Sequence, residues 1–273
     1  MSLLRSAVSN VLTKIRALPA VQNLRRKRHL SHFLAARGYG SHYGFFPTFA
    51  AAHAWLPKTG AFDRADFADE YIEIRTQRVF AYDYPVMFWL KQAFEQGAVS
   101  VFDIGGSVGV HCHAYRKYMD YPVGLQWLVC ELSHAVRQGR ELAAREQVSG
   151  LQFTEDLSPA AFVGDVLMAA GAIEFIEGFR LDKFLAEMPS RPKHILLNKL
   201  PLHDGPDVVS TQNIGGGAFT PHHVYNRQAY VKAIECLGYE LVDAWEVPER
   251  SFFVPGEPAK SFDCYSGLYF RAR

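Results

Sequence analysis

The chain has 273 residues, 49% of them hydrophobic and 14% aromatic, which is enough for a sizeable core and excludes global disorder. No apolar run reaches the roughly 18 residues that span a bilayer, and the N-terminus lacks the pattern of a secretory signal. Four scattered cysteines (Cys112, Cys130, Cys236, Cys264) with no C-x-x-C pair argue against a disulfide framework or zinc ribbon and for free thiols in a cytoplasmic protein.

The formal net charge of +1 hides an asymmetry: residues 1–62 hold nine Lys or Arg and no acid, while the rest holds 20 basic and 28 acidic residues. Leu4, Val8, Val11, Leu12, Ile15 and Leu18 recur at helical spacing, predicting an amphipathic helix that stops at Pro19. A second basic stretch follows, NLRRKRHLSHFLAARG. Two readings stay open for residues 1–37: packing on the body or on a partner subunit in an oligomer, or peripheral contact with anionic lipid. Nucleic acid is not expected, because the remaining chain is acidic.

Residues 38–60, rich in aromatics and glycine, suit a lid or pocket wall, or a plain hydrophobic connector. Two helices are expected next, the second with Pro85 in its first turn, Gly97 at its end and Met87, Phe88, Leu90 and Phe94 as core candidates. The first 98 residues thus form a basic, mostly helical extension and lid.

From residue 99 to 273 strands and helices alternate. VSVFDI, QWLVCEL, LQFT, DVLMAA, HILLNKL, YELVDAWEV and YSGLYFRAR read as seven strands. The alternation predicts an α/β domain with a mainly parallel sheet covered on both faces, and the loop-linked last pair predicts an antiparallel final strand.

In such a sheet the ligand crevice opens at the C-terminal strand ends. The first strand runs into DIGGSVG, which lacks the lysine of a P-loop and, counted from Gly105, has Ser107 and Val110 where a dinucleotide fingerprint needs its second and third glycines. What remains is D-x-G-x-S-x-G: Asp103, Gly105, Ser107 and Gly109, with Gly106 between. This spacing resembles motif I of the class I S-adenosylmethionine-dependent methyltransferases, with Ser107 in place of the middle glycine. The glycines let backbone approach a ligand closely, and Asp103 suits an ammonium group, directly or through water. Glu131 ends the second strand, where a carboxylate can accept ribose hydroxyls. Glu155 and Asp156 follow the third strand, where that fold often places an acid near the adenine. Gly171 follows the fourth, where a glycine either lets the chain pass close to the cofactor or simply opens a helix.

Successive blocks (FDIGGSVGVHCHAYRKYMDYP, WLVCELSHAVRQGRELA, LQFTEDLS, MAAGAIEFIEG, LLNKLPLHDGPDVVSTQNIGG and YNRQAYVKAIECLGYELVDAWE) are similar, in order, to a family of bacterial methyltransferases often associated with surface-polysaccharide gene clusters. Over residues 38–273 the resemblance implies a Rossmann-like class I methyltransferase fold and S-adenosylmethionine as cofactor. It leaves the acceptor, a glycan or another small polar molecule, unassigned.

An oxygen acceptor calls for a general base. The segment 198–223 is expected to be a long loop beside the cofactor, with His203 and Asp204 as the acid/base pair, His222 and His223 next, and Asn198, Gln212 and Asn213 to orient an acceptor. HCH at 111–113 is not expected to bind metal, because a helix splays the two histidines about 200° apart. The alternative function is a non-catalytic protein that keeps the fold as a scaffold in a membrane-associated polysaccharide assembly.

Overall fold

The computed structural model describes residues 18–58, 71–162 and 164–273. The helix expected at residues 4–18 therefore lies outside the described residues, apart from Leu18. In chain order the elements are α1 (Pro19–Phe33), β1 (His42–Phe46), α2 (Phe49–Trp55), α3 (Tyr84–Glu95), β2 (Ser100–Ile104), α4 (Val110–Tyr115), β3 (Gln126–Cys130), α5 (Ser133–Arg145), β4 (Leu151–Thr154), β5 (Val166–Ala170), α6 (Leu181–Glu187), β6 (His194–Leu200), β7 (Leu202–His203), β8 (Val208–Gly215), β9 (Ala218–Asn226), α7 (Arg227–Glu235), β10 (Tyr239–Val247) and β11 (Tyr265–Ala272).

The seven expected strands form one sheet in the order β10-β11-β6-β5-β2-β3-β4. β2 pairs in parallel with β3 (Ile104 opposite Cys130) and with β5 (Ile104 opposite Ala169), and β11 runs antiparallel between β10 and β6. Strand order reverses at β2, so its exit opens the crevice.

Side chains alternate across the sheet. Val101, Trp127, Val129, Val166, Met168 and Leu196 bury one face with Val86 and Leu90 of α3, Cys112 and Tyr115 of α4 and Val136 of α5. Phe102, Ile104, Leu167, Ala169, Ile195 and Leu197 bury the other with Leu181, Phe184 and Leu185 of α6 and Ile234 of α7. Because both faces are covered, β5 is apolar and buried throughout. In α3, Pro85 occupies the first turn as expected, and Met87 and Leu90 are buried, but Phe88 is 56% exposed because it lies on the outer face of the helix.

A second sheet, in the order β1-β8-β9-β7, corrects two loop expectations. Residues 198–223 contain not one long loop but the β8–β9 hairpin, turned by Gly215, Gly216 and Gly217, all at positive φ. Within residues 38–60, His42–Phe46 pairs antiparallel with β8 (His42 opposite Gln212) instead of forming only a lid or connector. Phe33 of α1, fully buried, packs on Tyr43, Trp55 and Phe219 and ties the basic helix to this sheet.

Candidate functional site

The β2 exit is built by backbone constraint. Gly105 continues the parallel ladder, its N–H donating to Cys130 O at 2.9 Å, and then turns at φ +72°. A Cβ there would lie 2.1 Å from Ala172 Cβ, so the loop after β2 rests directly on the loop after β5. Ser107 takes φ +54°, a left-handed conformation that explains why glycine is the usual residue at this motif position. Gly109, also left-handed, starts α4.

Asp103 shares the inward face of Val101, where it meets Trp127 and α4. It is fully buried. Its Oδ2 faces His111 Nδ1 at 2.9 Å and accepts from Trp127 Nε1 at 3.3 Å. Its Oδ1 is buried without a hydrogen-bond partner, 3.0 Å from where a Cβ on Gly106 would stand. An orphaned carboxylate oxygen under a glycine loop fits a cationic ligand group reached directly or through water. His113 turns instead to Glu146 at 3.0 Å, so the two histidines of HCH serve different carboxylates.

The other cofactor candidates stand at neighbouring strand exits. Glu131 directly follows β3; its N–H donates to Thr154 O and its Oε2 accepts from Leu132 N at 2.7 Å. Asp156 is exposed two residues beyond β4, and hydrogen bonds from the Ser158 backbone and hydroxyl hold its carboxyl below the usual range. Glu155 accepts from Ser133 Oγ. Gly171, at φ +75°, follows β5 and donates to Asn198 O.

The acceptor-side candidates are spread apart. His203 Nε2 lies 2.8 Å from Pro206 O and its ring packs on Phe262, while Asp204 is exposed and holds Asn226 Nδ2 through its backbone carbonyl. No hydrogen bond joins His203 to Asp204 among the described residues. Asn198 and Asn213 are taken up by the fold. Asn198 bonds Tyr82 O, Lys199 N and Trp245 Nε1, and Asn213 bonds Phe33 O, Ala35 O and Gly215 N. Gln212 is buried opposite His42, and His223 is half-buried against Phe49. His222 is fully buried, with neither ring nitrogen hydrogen-bonded, and lies 4.9 Å from the His42 ring. Burial holds His222 well below the usual histidine range and His42 down at about 3, so both are neutral.

Sequence reasoning passed over two charged residues at the same strand ends. Glu174, 2% exposed, follows β5; Lys199 lies in β6 with φ +56°. The available signals were a carboxylate inside the apolar run AIEF and a lysine inside the buried strand HILLNKL. An open groove of about 700 Å³ lies elsewhere, along α5 and the start of β4, and none of these candidate residues lines it.

No protein-family model and no curated protein sequence matches the chain. Solved structures do. The Burkholderia thailandensis 1,6-didemethyltoxoflavin-N1-methyltransferase, with bound 1,6-didemethyltoxoflavin and S-adenosylhomocysteine, is similar at a TM-score of 0.50 and 17% identity, over 80% of this chain and 93% of that one. The N-terminal domain of EvdMO1 with SAH bound is similar at 0.46 and 15%, over 79% of this chain and 100% of that one. The PH0226 protein from Pyrococcus horikoshii OT3 is similar at 0.44 and 13%, over 81% and 98%. At such identities the likeness concerns the fold. The strand order together with the first of these matches gives the chain a Rossmann-like class I methyltransferase fold.

Proposed function

We propose that the chain is an S-adenosylmethionine-dependent methyltransferase acting on a small polar acceptor, with a hydroxyl as the methylated group. The observation that carries this reading is the β2 exit. A glycine turn at the point of strand reversal covers an orphaned carboxylate oxygen, and further carboxylates stand at the next two exits. Asp103 and the loop Gly105–Gly109 would hold the amino-acid part of the cofactor, Glu131 its ribose and Asp156 its adenine, with Gly171 giving close approach. When bound, the cofactor supplies an already activated methyl group on a sulfonium. The chain's own tasks are then alignment, exclusion of water and proton removal. The similar B. thailandensis enzyme holds S-adenosylhomocysteine together with a small-molecule substrate, which supports a small acceptor here.

Isothermal titration of the full chain with S-adenosylmethionine and S-adenosylhomocysteine tests the reading, with micromolar binding expected. Gly105→Val, which drives a branched side chain into Ala172, should weaken binding at least 100-fold. Glu131→Ala should weaken it about tenfold, the loss of one good hydrogen-bonding group at about 1.4 kcal/mol. No binding at millimolar ligand refutes the proposal.

The finer readings rest on the sequence. A carbohydrate or glycan acceptor and a link to surface polysaccharide follow from the family resemblance. The division into an extension (1–98) and a cofactor domain (99–273), the cytoplasmic location and any oligomer are part of the same proposal. Peripheral contact with a membrane is favoured by the exposure of Arg25, Arg26, Lys27 and Arg28 on α1 beside Leu24, itself 52% exposed. Of the acceptor-side candidates, His222 keeps a place in this reading through its two ring nitrogens, neither of them hydrogen-bonded. His203, the last residue of β7, and exposed Asp204 after it are engaged elsewhere, His203 at Pro206 O and Asp204 at Asn226.

A further inference from the structure

The exits of β5 and β6 carry a buried carboxylate and a half-buried amine that the glycine loop does not use. Glu174 sits in the one-turn 3₁₀ helix Ile173–Phe175, and its Oε2 is buried with no hydrogen-bond partner. Lys199 holds a left-handed backbone in a strand, and its Nζ stands 5.2 Å over the Tyr82 ring. Among the described residues this Nζ makes no hydrogen bond or ion pair. Strained backbone and an unsatisfied buried carboxylate both cost stability, and they concentrate where a ligand completes the site.

Position ties the two to the β2 exit. Ala172, against which a Gly105 side chain would clash, lies two residues before Glu174, and a Cβ on Gly171 would stand 3.3 Å from Lys199 Cε. The charged and titratable groups within electrostatic reach of Glu174 are Lys199 from β6, Arg250 after β10, Tyr225 of β9, Tyr230 of α7 and Tyr265 of β11. Those within electrostatic reach of Lys199 are Asp83, Arg250, Arg75 and Glu174. Asp83 is already engaged, accepting from Phe80 N and from the Tyr115 hydroxyl.

We propose that Glu174 and Lys199 form the acceptor side of the site, with Glu174 taking the proton of an acceptor hydroxyl and Lys199 holding the oxygen left behind. The proposal rests on the methyltransferase reading above and extends it to named residues. The acceptor O–H bond breaks, the proton bonds to Glu174 and the electron pair stays on oxygen. That pair forms the new C–O bond as the methyl carbon leaves sulfur, which keeps the electrons of the broken C–S bond. The proton then passes to water. Three cations within electrostatic reach of one another (Lys199, with Arg250 and Arg75 acting on it) disfavour an ammonium-bearing acceptor and favour a neutral or anionic alcohol. Burial raises the Glu174 carboxyl to about 7 against the opposing pull of Lys199 and Arg250, and burial lowers the Lys199 amine to about 8. Both groups therefore exchange protons near neutral pH.

Titration calorimetry of the full chain in two buffers of different ionisation enthalpy counts the protons released on binding. The sulfonium of S-adenosylmethionine is cationic and the sulfur of S-adenosylhomocysteine is neutral, so only the former should deprotonate Glu174. At pH 7 the expected difference between the two ligands is about half a proton, since Glu174 is then about half protonated. In Glu174→Gln the difference should vanish while S-adenosylhomocysteine still binds. In Lys199→Met it should move to higher pH, because the cation that favours ionised Glu174 is gone. The same difference in Glu174→Gln, or an unmoved profile in Lys199→Met, overturns the pair alone. A wild-type chain that binds neither ligand overturns the methyltransferase reading and the pair with it.

Discussion

Asp103 lies two residues from Val101 on a strand, and that spacing decides its surroundings: the inward face, Trp127 and the first turn of α4. The sequence supplies the carboxylate and its distance from the glycines. It does not show that one oxygen is occupied by His111 and Trp127 while the other is left for a ligand. Histidines offer a second argument at this scale. His29, His42, His113, His194, His222 and His223 all sit below the usual histidine range, burial being the largest cause in each. As pH falls below about 6.5 the unfolded chain takes up protons that the folded chain refuses, so stability present at neutral pH is lost on acidification. Glu174 works in the opposite direction. Between about 4.5 and 7 the folded chain holds a proton that the unfolded chain has released, so its contribution falls as pH rises through that window. Each fully shifted group changes stability by about 1.4 kcal/mol per pH unit at most. The buried His42, His113, His194 and His222 outweigh the single glutamate, with the half-buried His29 and His223 adding less because solvent screens them. Urea unfolding should show a lower midpoint at pH 5 than at pH 7.5, and His222→Gln should flatten the slope. A midpoint independent of pH would refute this balance.

Among the elements, the seven core strands were readable because parallel strands buried on both faces appear as short apolar runs between helical patterns. The β8–β9 hairpin was not. VVSTQNI has β-branched character, but its flanking prolines and three glycines read as loop, and its partner β1 is about 170 residues away. That partner also contains Gly44. Such pairing is non-local, and no window of sequence contains both halves. Asn213 joins the parts: its side-chain amide donates to Phe33 O at 2.6 Å and Ala35 O at 3.0 Å, closing the end of α1 against β8. Asn213→Ala should cost about 2 kcal/mol by leaving buried carbonyls unpaired. It should also speed amide exchange in β1 and at the end of β8 while leaving β2 and β5 protected. Uniform exchange across both sheets would show that the second sheet has no separate stability.

For the whole molecule the charge asymmetry becomes a spatial one. α1 carries Arg25, Arg26, Lys27 and Arg28 on exposed positions, ahead of a chain whose remaining residues are net acidic. Contact with anionic lipid should be strongly salt-dependent, since exposed charges are screened beyond about 8 Å at physiological ionic strength. Vesicles containing phosphatidylglycerol should sediment the chain at low salt, and substitution of the four basic residues by Gln should reduce the bound fraction severalfold. Neutral phosphatidylcholine vesicles serve as the control; equal binding to both compositions would refute an electrostatic contact.

The sequence by itself determined the α/β class, the seven strands of the main sheet, the antiparallel last strand and the glycine turn. Each of these is a local pattern of apolar spacing or backbone freedom. Only the tertiary structure decided which side chains meet at the crevice. Ala172 lies against Gly105, Gly171 stands beside Lys199, and Glu174 is buried within electrostatic reach of tyrosines from three further elements, although these residues are scattered from position 105 to 265. Burial then gives Glu174 and Lys199 their unusual proton affinities, and burial is a property of the folded packing that no single stretch of sequence carries.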